Sequence, residues 1–272
     1  INRISLGVQS FRDSALQALG RVHDSSQALD ALAMIHEAGF INFNIDLMHG
    51  LPGQTAEQAA RDLEQALAFD PPHLSWYQLT IEPNTAFYKR PPSLPEEDQL
   101  AEIQDAGEQL LASAGLQNYE VSAYSLPERE CRHNLNYWQF GDYLAIGAGA
   151  HGKVTGLDGT VRRFRKRRQP DRYMATPRGH RAQWWRVSGN ELRAEFMLYA
   201  LRLRRGFTAS QLRRTTGLTM ADLEPELTRL VEEGLLKQDG DRIATTATGA
   251  RFLDTVICPF LPDAASDALS AV

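Results

Sequence analysis

The chain has 272 residues, of which 43% are hydrophobic and 23% charged, and a formal net charge of −5. This composition indicates an ordinary globular protein with one large or two smaller domains, and the negative charge argues against a general nucleic-acid binder. The most apolar run, near Leu198, is broken by Arg202 and Arg204, so no transmembrane segment is predicted. Because Cys131 and Cys258 cannot form a disulfide framework, we expect a cytoplasmic protein.

The first residues alternate as in a β-strand, with Ile4, Leu6 and Val8 separated by polar or small residues up to Gln9. The chain opens on Ile1 and not on an initiator methionine. We therefore expect that it begins inside a domain and that an N-terminal part of the protein is missing.

Strand and helix patterns then follow one another up to residue 125. Apolar spacing, a capping box at Thr55 and Gln58, and glycines after the helices mark the boundaries. Such alternation predicts parallel strands joined by helical crossovers. The predicted strands are residues 3–9, 41–47, 74–82 and 119–125, and the predicted helices lie around residues 28–35, 55–67 and 96–114.

The second strand has a polar face, because Asn42, Asn44 and Asp46 alternate with its apolar residues. In a doubly wound sheet both faces are covered and strands are apolar throughout. A partial barrel with a ligand-filled interior fits better, and in barrels functional groups gather at the C-terminal ends of strands. We place Gln9, Asp46 and residues 80–82 there.

A segment rich in aromatic and amide side chains follows at His133–Trp138, with the sequence HNLNYW. Imidazole is a common axial ligand of haem iron, and large rings offer a stacking surface, so these residue types suit a flat aromatic ligand with a central metal. Glycines would let the backbone approach such a ligand. They stand at positions 141, 147, 149 and 152.

The composition changes after Gly152. Residues 156–190 are rich in Arg, Gly and Pro and are predicted to be a basic, mostly irregular connection. From 191 to 272, three helical patterns and a hairpin at Asp239-Gly240 predict a small winged-helix-like α+β domain. Its third predicted helix, residues 220–233, is acidic and would repel phosphates. We therefore interpret this domain as a lid or docking module.

Four segments together resemble one family: Arg3–Phe11, Asn44–Thr55, Leu79–Thr85 and His133–Trp138. In this order they resemble the coproporphyrinogen III oxidase-like radical SAM proteins, and HNxxYW points to their haem chaperone branch. The likeness covers essentially the whole chain. It implies an α/β fold in which residues 1–155 form the C-terminal strands of a TIM-like (β/α) radical SAM barrel.

The resemblance also implies where S-adenosylmethionine would bind. By it, Gln9, Arg21 and Asp46 line the pocket, and backbone near Thr80 and Ile81 flanks the adenine. The chemistry agrees, because a carboxylate and an amide suit ribose hydroxyls and a guanidinium matches a carboxylate.

By the same resemblance, the haem site comprises His133, Asn134, Tyr137 and Trp138, with His133 the leading candidate for iron ligation. The arginine-rich residues 162–168 are candidates for contacting nucleic acid, haem propionates or a partner's acidic face. A solvated loop is the simpler alternative for them.

One departure from the family concerns the [4Fe-4S] cluster. Family members hold it on an N-terminal CxxxCxxC loop, which this sequence lacks, as it lacks the glycine-rich segment that grips the methionine end of S-adenosylmethionine. Cys131 and Cys258 cannot replace the loop, since a cluster needs at least three nearby thiolates. We expect a fragment that neither assembles the cluster nor cleaves S-adenosylmethionine.

The resemblance implies a haem carrier that delivers haem to respiratory haemoproteins, which are membrane-bound. The alternative is an oxygen-independent coproporphyrinogen III oxidase, and a third hypothesis is a winged-helix DNA-binding regulator. Simpler structural explanations also stand beside each site residue. These are a turn cap for Asp46, solvated or barrel-filling groups for Gln9 and Arg21, hydrogen-bonded loop or strand-end residues for His49 and His151, a buried thiol for Cys131, and core aromatics for Tyr137 and Trp138.

Overall fold

The computed structural model describes residues 1–177 and 182–262. They divide into two compact units, residues 1–131 (unit 1) and the described residues from 132 onward (unit 2). The boundary precedes the HNLNYW segment, which the sequence had grouped with residues 1–155. Two parts of the predictions lie outside the described residues: the end of the basic connection at 178–181 and the last part of the C-terminal domain at 263–272.

Unit 1 is built on a five-stranded sheet with the order β1-β2-β3-β5-β4. The first three strands are parallel, whereas β5 is antiparallel to both of its neighbours. The strands are β1 (Ile4–Gln9), β2 (Phe43–His49), β3 (His73–Gln78), β4 (Gln117–Glu120) and β5 (Ala123–Ser125). The helices are α1 (Asp13–Ala18), α2 (Ser25–Glu37), α3 (Ala56–Leu67), α4 (Ala86–Lys89) and α5 (Glu97–Ser113).

The prediction of one parallel strand over residues 119–125 was wrong, because this segment is the hairpin β4–β5. The Asn118 side chain donates to the carbonyl oxygens of Glu120, at 2.7 Å, and Ala123, at 3.2 Å. These bonds fold the chain back on itself between the two strands. β5 can then pair with β3, which leaves β4 as the edge strand.

The two faces of the parallel sheet differ in polarity. Leu6, Ile45 and Trp76 belong to an apolar cluster in which the strands pack with residues of α2, α3 and α5. The opposite face carries Asn44 and Asp46, and cross-strand pairing adds other polar groups to it. The predicted polar second face is therefore confirmed.

The start of α3 is set by hydrogen bonds between neighbouring residues. Thr55 accepts a hydrogen bond from the backbone of Gln58, whose side chain accepts one from the backbone of Thr55, so the predicted capping box is confirmed.

On α3, Asp62 accepts from the Ser10 hydroxyl at 2.7 Å and from the Phe11 amide at 2.9 Å. The end of the first family-like segment thus anchors the strand β1 to this helix.

Unit 2 opens with a short helix and a three-stranded antiparallel sheet, in the order β6-β7-β8. The prediction of an irregular connection over 156–190 was wrong, because most of this sheet lies there. The alternation was hidden because Arg163 is buried like its apolar neighbours Val161 and Phe164. The elements are α6 (Arg132–Trp138), β6 (His151–Thr155), β7 (Val161–Lys166), α7 (Pro170–Ala175) and β8 (Ala182–Arg186).

The rest of unit 2 combines short helices with a second three-stranded antiparallel sheet, ordered β10-β11-β9. The predicted hairpin at Asp239-Gly240 is confirmed. The predicted helix 220–233 is interrupted at Pro225, which has no N–H to continue it. The elements are α8 (Asn190–Ala200), β9 (Phe207–Thr208), α9 (Ala209–Thr216), a 3₁₀ turn (Met220–Leu223), α10 (Glu226–Glu232), β10 (Leu236–Asp239), β11 (Arg242–Thr245), α11 (Ala247–Arg251), α12 (Leu253–Ile257) and a 3₁₀ turn (Cys258–Phe260).

None of the helices within the described ranges has the length and apolar character needed to cross a membrane.

Candidate functional site

The polar face of unit 1 is a connected hydrogen-bond network around Asn44. Its amide donates to Ser5 at 2.7 Å and to Asp46 at 2.8 Å, while Ser5 donates to the other oxygen of Asp46 at 3.0 Å. The Asn44 carbonyl oxygen accepts from His73 at 2.6 Å and from Ser75 at 3.1 Å. Both carboxylate oxygens of Asp46 are thus held in fixed positions.

The sequence analysis placed Asp46 at the C-terminal end of its strand, but Asp46 does not lie there. It lies in the middle of β2, opposite Gly7 of β1 and Ser75 of β3. The strand continues to His49, because the polar alternation that ends at Asp46 is followed by buried Leu47 and Met48. Asp46 is therefore presented from the face of the sheet.

Tyr77 is a site residue that the sequence analysis missed. Its hydroxyl donates to the Gln9 side-chain oxygen at 2.5 Å. Burial and the Asp46 carboxylate raise the pKa of Tyr77, while Arg21 and the hydrogen bond with Gln9 oppose that rise. Three predicted site residues therefore act on one phenol. The signal was present in β3, where Tyr77 follows Ser75 on the polar face.

The remaining predicted residues of this site occupy less constrained positions. Gln9 is buried and ends β1 with a left-handed φ of 72°, whereas Arg21 is exposed. Thr80 and Ile81 lie beyond the end of β3, where the Thr80 hydroxyl donates to Glu82 at 3.2 Å. His49 was interpreted as a hydrogen-bonded loop or strand-end residue; it ends β2, and its backbone carbonyl accepts from the Leu79 amide at 2.9 Å. The ring is buried against Trp76, and Nδ1 has no hydrogen-bond partner among the described residues.

The residues of this chain do not fit a [4Fe-4S] cluster. Cys131 and Cys258 are both free. Within residues 1–177 and 182–262, no group of three or more His, Cys, Asp and Glu side chains is arranged to hold a metal ion. A cubane cluster needs several thiolates, so this chain by itself does not provide its ligands.

The HNLNYW segment of unit 2 lies on α6, a helix that the sequence analysis did not predict. His133 is exposed, and its ring meets the Tyr137 ring edge-on, with 4.8 Å between centroids. Residues four apart lie on the same side of a helix, which explains the pairing. Tyr137 also stacks on Tyr143, with centroids 4.2 Å apart. The imidazole is thus open to a ligand beside a fixed aromatic surface.

A buried ion pair holds this aromatic surface in place. The Arg163 Nε and one terminal nitrogen donate to Glu195 Oε2 at 2.9 and 2.6 Å, and its other terminal nitrogen donates to the Tyr143 hydroxyl. Burial would lower the pKa of Arg163, but the Glu195 carboxylate raises it. For Tyr143 the effect of burial has the opposite sign, because it raises the pKa of the phenol to about 12. Arg163 therefore stays ionised and Tyr143 stays neutral at ordinary pH.

Trp138 and Asn136 make contacts within unit 2 that shape the segment. The Arg202 guanidinium lies 4.5 Å from the centre of the Trp138 ring, and Tyr199 of α8 packs beside it. The Asn136 amide donates to the carbonyl oxygen of Asp142 at 3.0 Å. Asn134, another predicted haem residue, is half-buried on the same helix. Part of this motif is therefore structural.

Two of the glycines after the motif are required by internal packing. A Cβ at Gly152 would lie 2.2 Å from the Phe164 ring, and one at Gly141 would lie 2.2 Å from the Asn136 side chain. Nearby, the buried Lys153 donates to the Phe140 carbonyl at 3.0 Å and to Asp142 at 2.8 Å. No pattern in the sequence indicated this lysine, whose partners lie in an irregular stretch.

Comparisons with known proteins agree with the two parts of the chain. The model of the Radical SAM superfamily matches residues 1–66, and the model of the HemN C-terminal domain matches residues 187–252. The solved coproporphyrinogen III oxidase (HemN) of Escherichia coli has a similar fold. The TM-score is 0.75 at 21% identity, over 96% of this chain and 64% of that one. Together these features define a radical SAM-type protein with a HemN-like C-terminal domain.

Two curated relatives are much more similar in sequence. The haem chaperone HemW of Escherichia coli K12 is 45% identical over 97% of this chain, which spans 69% of that protein. The haem chaperone HemW of Haemophilus influenzae is 43% identical over 97% of this chain, which spans 68% of it. The chain belongs to the haem chaperone HemW family.

Proposed function

We propose that this chain binds haem at the HNLNYW helix and passes it to respiratory haemoproteins. The observation that carries the proposal is the exposed His133 imidazole beside Tyr137, whose ring is fixed by stacking on Tyr143. The names of the most similar relatives support a haem carrier over a coproporphyrinogen III oxidase. We further propose the cytoplasm as its location, where free cysteines such as Cys131 and Cys258 persist.

The residues of the segment fit a haem. The exposed His133 imidazole would be able to hold haem iron, for which imidazole is a frequent ligand. Bound haem supplies a flat, redox-active iron macrocycle. In this chain His133 would hold the iron, while Asn134, Tyr137 and Trp138 shape the surface against which the ring lies. Because Arg163 and Glu195 fix Tyr143, that surface is arranged before the ligand arrives.

Replacing His133 with alanine is expected to change the Soret spectrum of the bound haem. It should also weaken haem binding by at least about tenfold, since residues that only orient metal ligands already contribute about 10- to 100-fold. The measurement is a titration of the chain with ferric haem, followed in the Soret band. His36→Ala is the matched control, since this histidine is also exposed but lies on α2 of unit 1. An unchanged spectrum and affinity in His133→Ala would remove the proposed iron ligand.

We also propose that the polar face of unit 1 forms one wall of an S-adenosylmethionine pocket. The Asp46 carboxylate would accept hydrogen bonds from the ribose hydroxyls, and the Gln9 amide group would donate to them. Arg21 would face the carboxylate of the ligand. The backbone near Thr80 and Ile81 would flank the adenine. Tyr77 supports this assignment, because it occupies the Gln9 side-chain oxygen and so leaves the amide group of Gln9 to point at a ligand. The described residues of this chain do not supply ligands for the [4Fe-4S] cluster that the family implies.

Asp46→Asn is expected to weaken S-adenosylmethionine binding about tenfold, because hydrogen bonds to a charged group contribute about 1.5–3 kcal/mol. The substitution is close in shape: its oxygen can still accept from the Asn44 amide, and its new amide group can donate to the Ser5 hydroxyl oxygen, which limits structural damage. Equilibrium dialysis of the chain with labelled ligand measures the change. Asp30→Asn, at an exposed position of α2, is the control. Equal binding by both variants and the unchanged chain would contradict a role for Asp46.

For the C-terminal residues we propose a winged-helix-like docking module. Its order of helices followed by the β10–β11 hairpin supports this interpretation. The helix α10 and its C-cap expose Glu232 and Glu233 beside a single arginine of this helix, Arg229, which disfavours contact with nucleic acid. The proposed partners are haemoprotein recipients associated with the respiratory membrane.

A further inference from the structure

A cavity of about 1050 Å³ in unit 2 has a strongly basic lining. The described residues that line it include five arginine or lysine residues and a histidine, and none of these described residues is an aspartate or a glutamate. We call it the basic cavity. Its lining residues are Ala148, Gly149, His151, Arg165, Lys166, Arg167, Arg168, Gln169, Arg172, Ala182 and Gln183.

The cations of the basic cavity lack acidic partners within the part of the chain that the structure describes. Within residues 1–177 and 182–262, none of its five arginine and lysine side chains forms an ion pair with an acid. Arg165 instead donates to the Gln183 side chain at 3.1 and 2.9 Å. Neighbouring like charges repel one another, and a concave surface of one sign attracts a ligand of the opposite sign. The basic cavity is therefore suited to a small polyanion.

Strand register places the basic cavity beside the aromatic surface formed by Tyr137 and Tyr143. His151 pairs with Arg165, and two residues further along the same strands Lys153 pairs with Arg163. Directly paired residues, and those two apart on a strand, share one face of a sheet. Arg165 and Arg163 are thus about 7 Å apart along one face. Arg163 in turn bonds to Tyr143, on which Tyr137 stacks.

We infer that the basic cavity binds the propionate carboxylates of the haem whose ring lies against His133 and Tyr137. This inference rests on the proposed haem binding and adds an orientation to it. The ring would lie toward Tyr137, with its propionate edge toward Arg165 and Arg168. Guanidinium groups match carboxylates in shape and can donate two parallel hydrogen bonds. The ligand class is a tetrapyrrole with free carboxylates, as opposed to an esterified one.

The test compares ferric haem with its dimethyl ester, in which both carboxylates are blocked. The cavity variant is R165Q/R168Q. R213Q/R214Q removes the same number of positive charges from exposed positions on α9 and is the matched control. Both ligands are titrated into the unchanged chain and into both variants, with the Soret band as the readout.

In the unchanged chain, haem should bind more tightly than its ester. The cavity variant should lose about fivefold in haem affinity, since each partly exposed ion pair contributes at most about fivefold. It should bind the ester as the unchanged chain does, because the carboxylates that the arginines contact are already absent. The control variant should retain the affinity and the preference of the unchanged chain.

Two other outcomes are distinguishable. If the unchanged chain binds haem and its ester equally, or if the cavity variant binds haem normally, the propionate assignment is overturned while haem binding stands. If the control variant loses as much haem affinity as the cavity variant, the effect is one of net charge and the assignment is again overturned. If the unchanged chain binds neither ligand, the proposed function itself fails and the assignment fails with it.

Discussion

Glu195→Ala is expected to destabilise unit 2 by about 3 kcal/mol, the lower part of the range for removing one partner of a buried ion pair. Arg163 has only 9% of its side chain exposed and Glu195 has 22%. Without the carboxylate, the guanidinium stays buried with the Tyr143 hydroxyl as its remaining side-chain hydrogen-bond partner among the described residues, beside the Tyr199 ring. Its pKa is too high for it to escape by losing a proton, so the cost falls on folding.

The same substitution should weaken haem binding without touching His133. Arg163 orients Tyr143, and Tyr143 supports Tyr137 by stacking. When this support loosens, Tyr137 no longer has a fixed position beside the imidazole. We therefore describe Glu195 and Arg163 as positioning residues. Their loss should broaden the Soret band of bound haem, whereas loss of stability alone would lower only the fraction of folded protein.

Hydrogen exchange of the β7 and α8 amides measures the stability of unit 2 separately from that of unit 1. Glu232→Ala, at an exposed position on α10, is the control and should change little. The double variant R163M/E195L should recover most of the stability, since apolar replacements of a buried pair are often neutral or better. Normal exchange in Glu195→Ala would show that the ion pair is not needed for folding. Full haem binding with an unaltered Soret band in the double variant would refute the positioning role.

The sequence predicted those features of the fold that depend on neighbouring residues. Alternation in residues 3–9 and 41–47 predicted the first two strands and the polar face, although β2 begins at Phe43 and continues to His49, and Thr55 with Gln58 predicted the start of α3. The hairpin over 117–125 was missed because it depends on pairing with β3, far away in the chain. Patterns of neighbouring residues do not show that β5 will pair between β3 and β4.

The candidate site was predictable where motifs are short and continuous. Gln9 and Asp46 were placed on the polar face by alternation, and His133 and Tyr137 by the family-like segment. The supporting groups could not be predicted in this way, because Arg163 and Glu195 are 32 positions apart and meet only after β7 and α8 pack. A buried arginine in a basic stretch also resembles a solvated one in sequence. The basic cavity was missed for the same reason.

Acidification is expected to destabilise unit 1 by about 4 kcal/mol between about pH 7 and about pH 5, through His49 and His73. Burial lowers the pKa of His49 from 6.5 to about 4. Burial, with a smaller contribution from Arg3, lowers that of His73 to about 3. The network explains why His73 stays neutral. One ring nitrogen must donate to the Asn44 carbonyl oxygen, and the other can then accept from the Tyr119 hydroxyl.

The direction of the effect follows from proton binding. Below the unfolded value of 6.5, both histidines take up protons in the unfolded chain but not in the folded one. Stability is therefore complete above that value and falls as the pH drops toward the folded values. Each histidine contributes about 2 kcal/mol of this loss at about pH 5, because one pKa unit corresponds to about 1.4 kcal/mol.

The measurement is urea unfolding at the two pH values, with hydrogen exchange of the β2 and β3 amides to assign the change to unit 1. His49→Phe should halve the drop, because phenylalanine keeps the ring against Trp76 and removes one titrating group. His36→Gln, at an exposed position on α2, is the control and should leave the drop unchanged. If His49→Phe loses as much stability on acidification as the unchanged chain, His49 is not the group responsible. The whole drop would then have to come from His73 and other titrating groups.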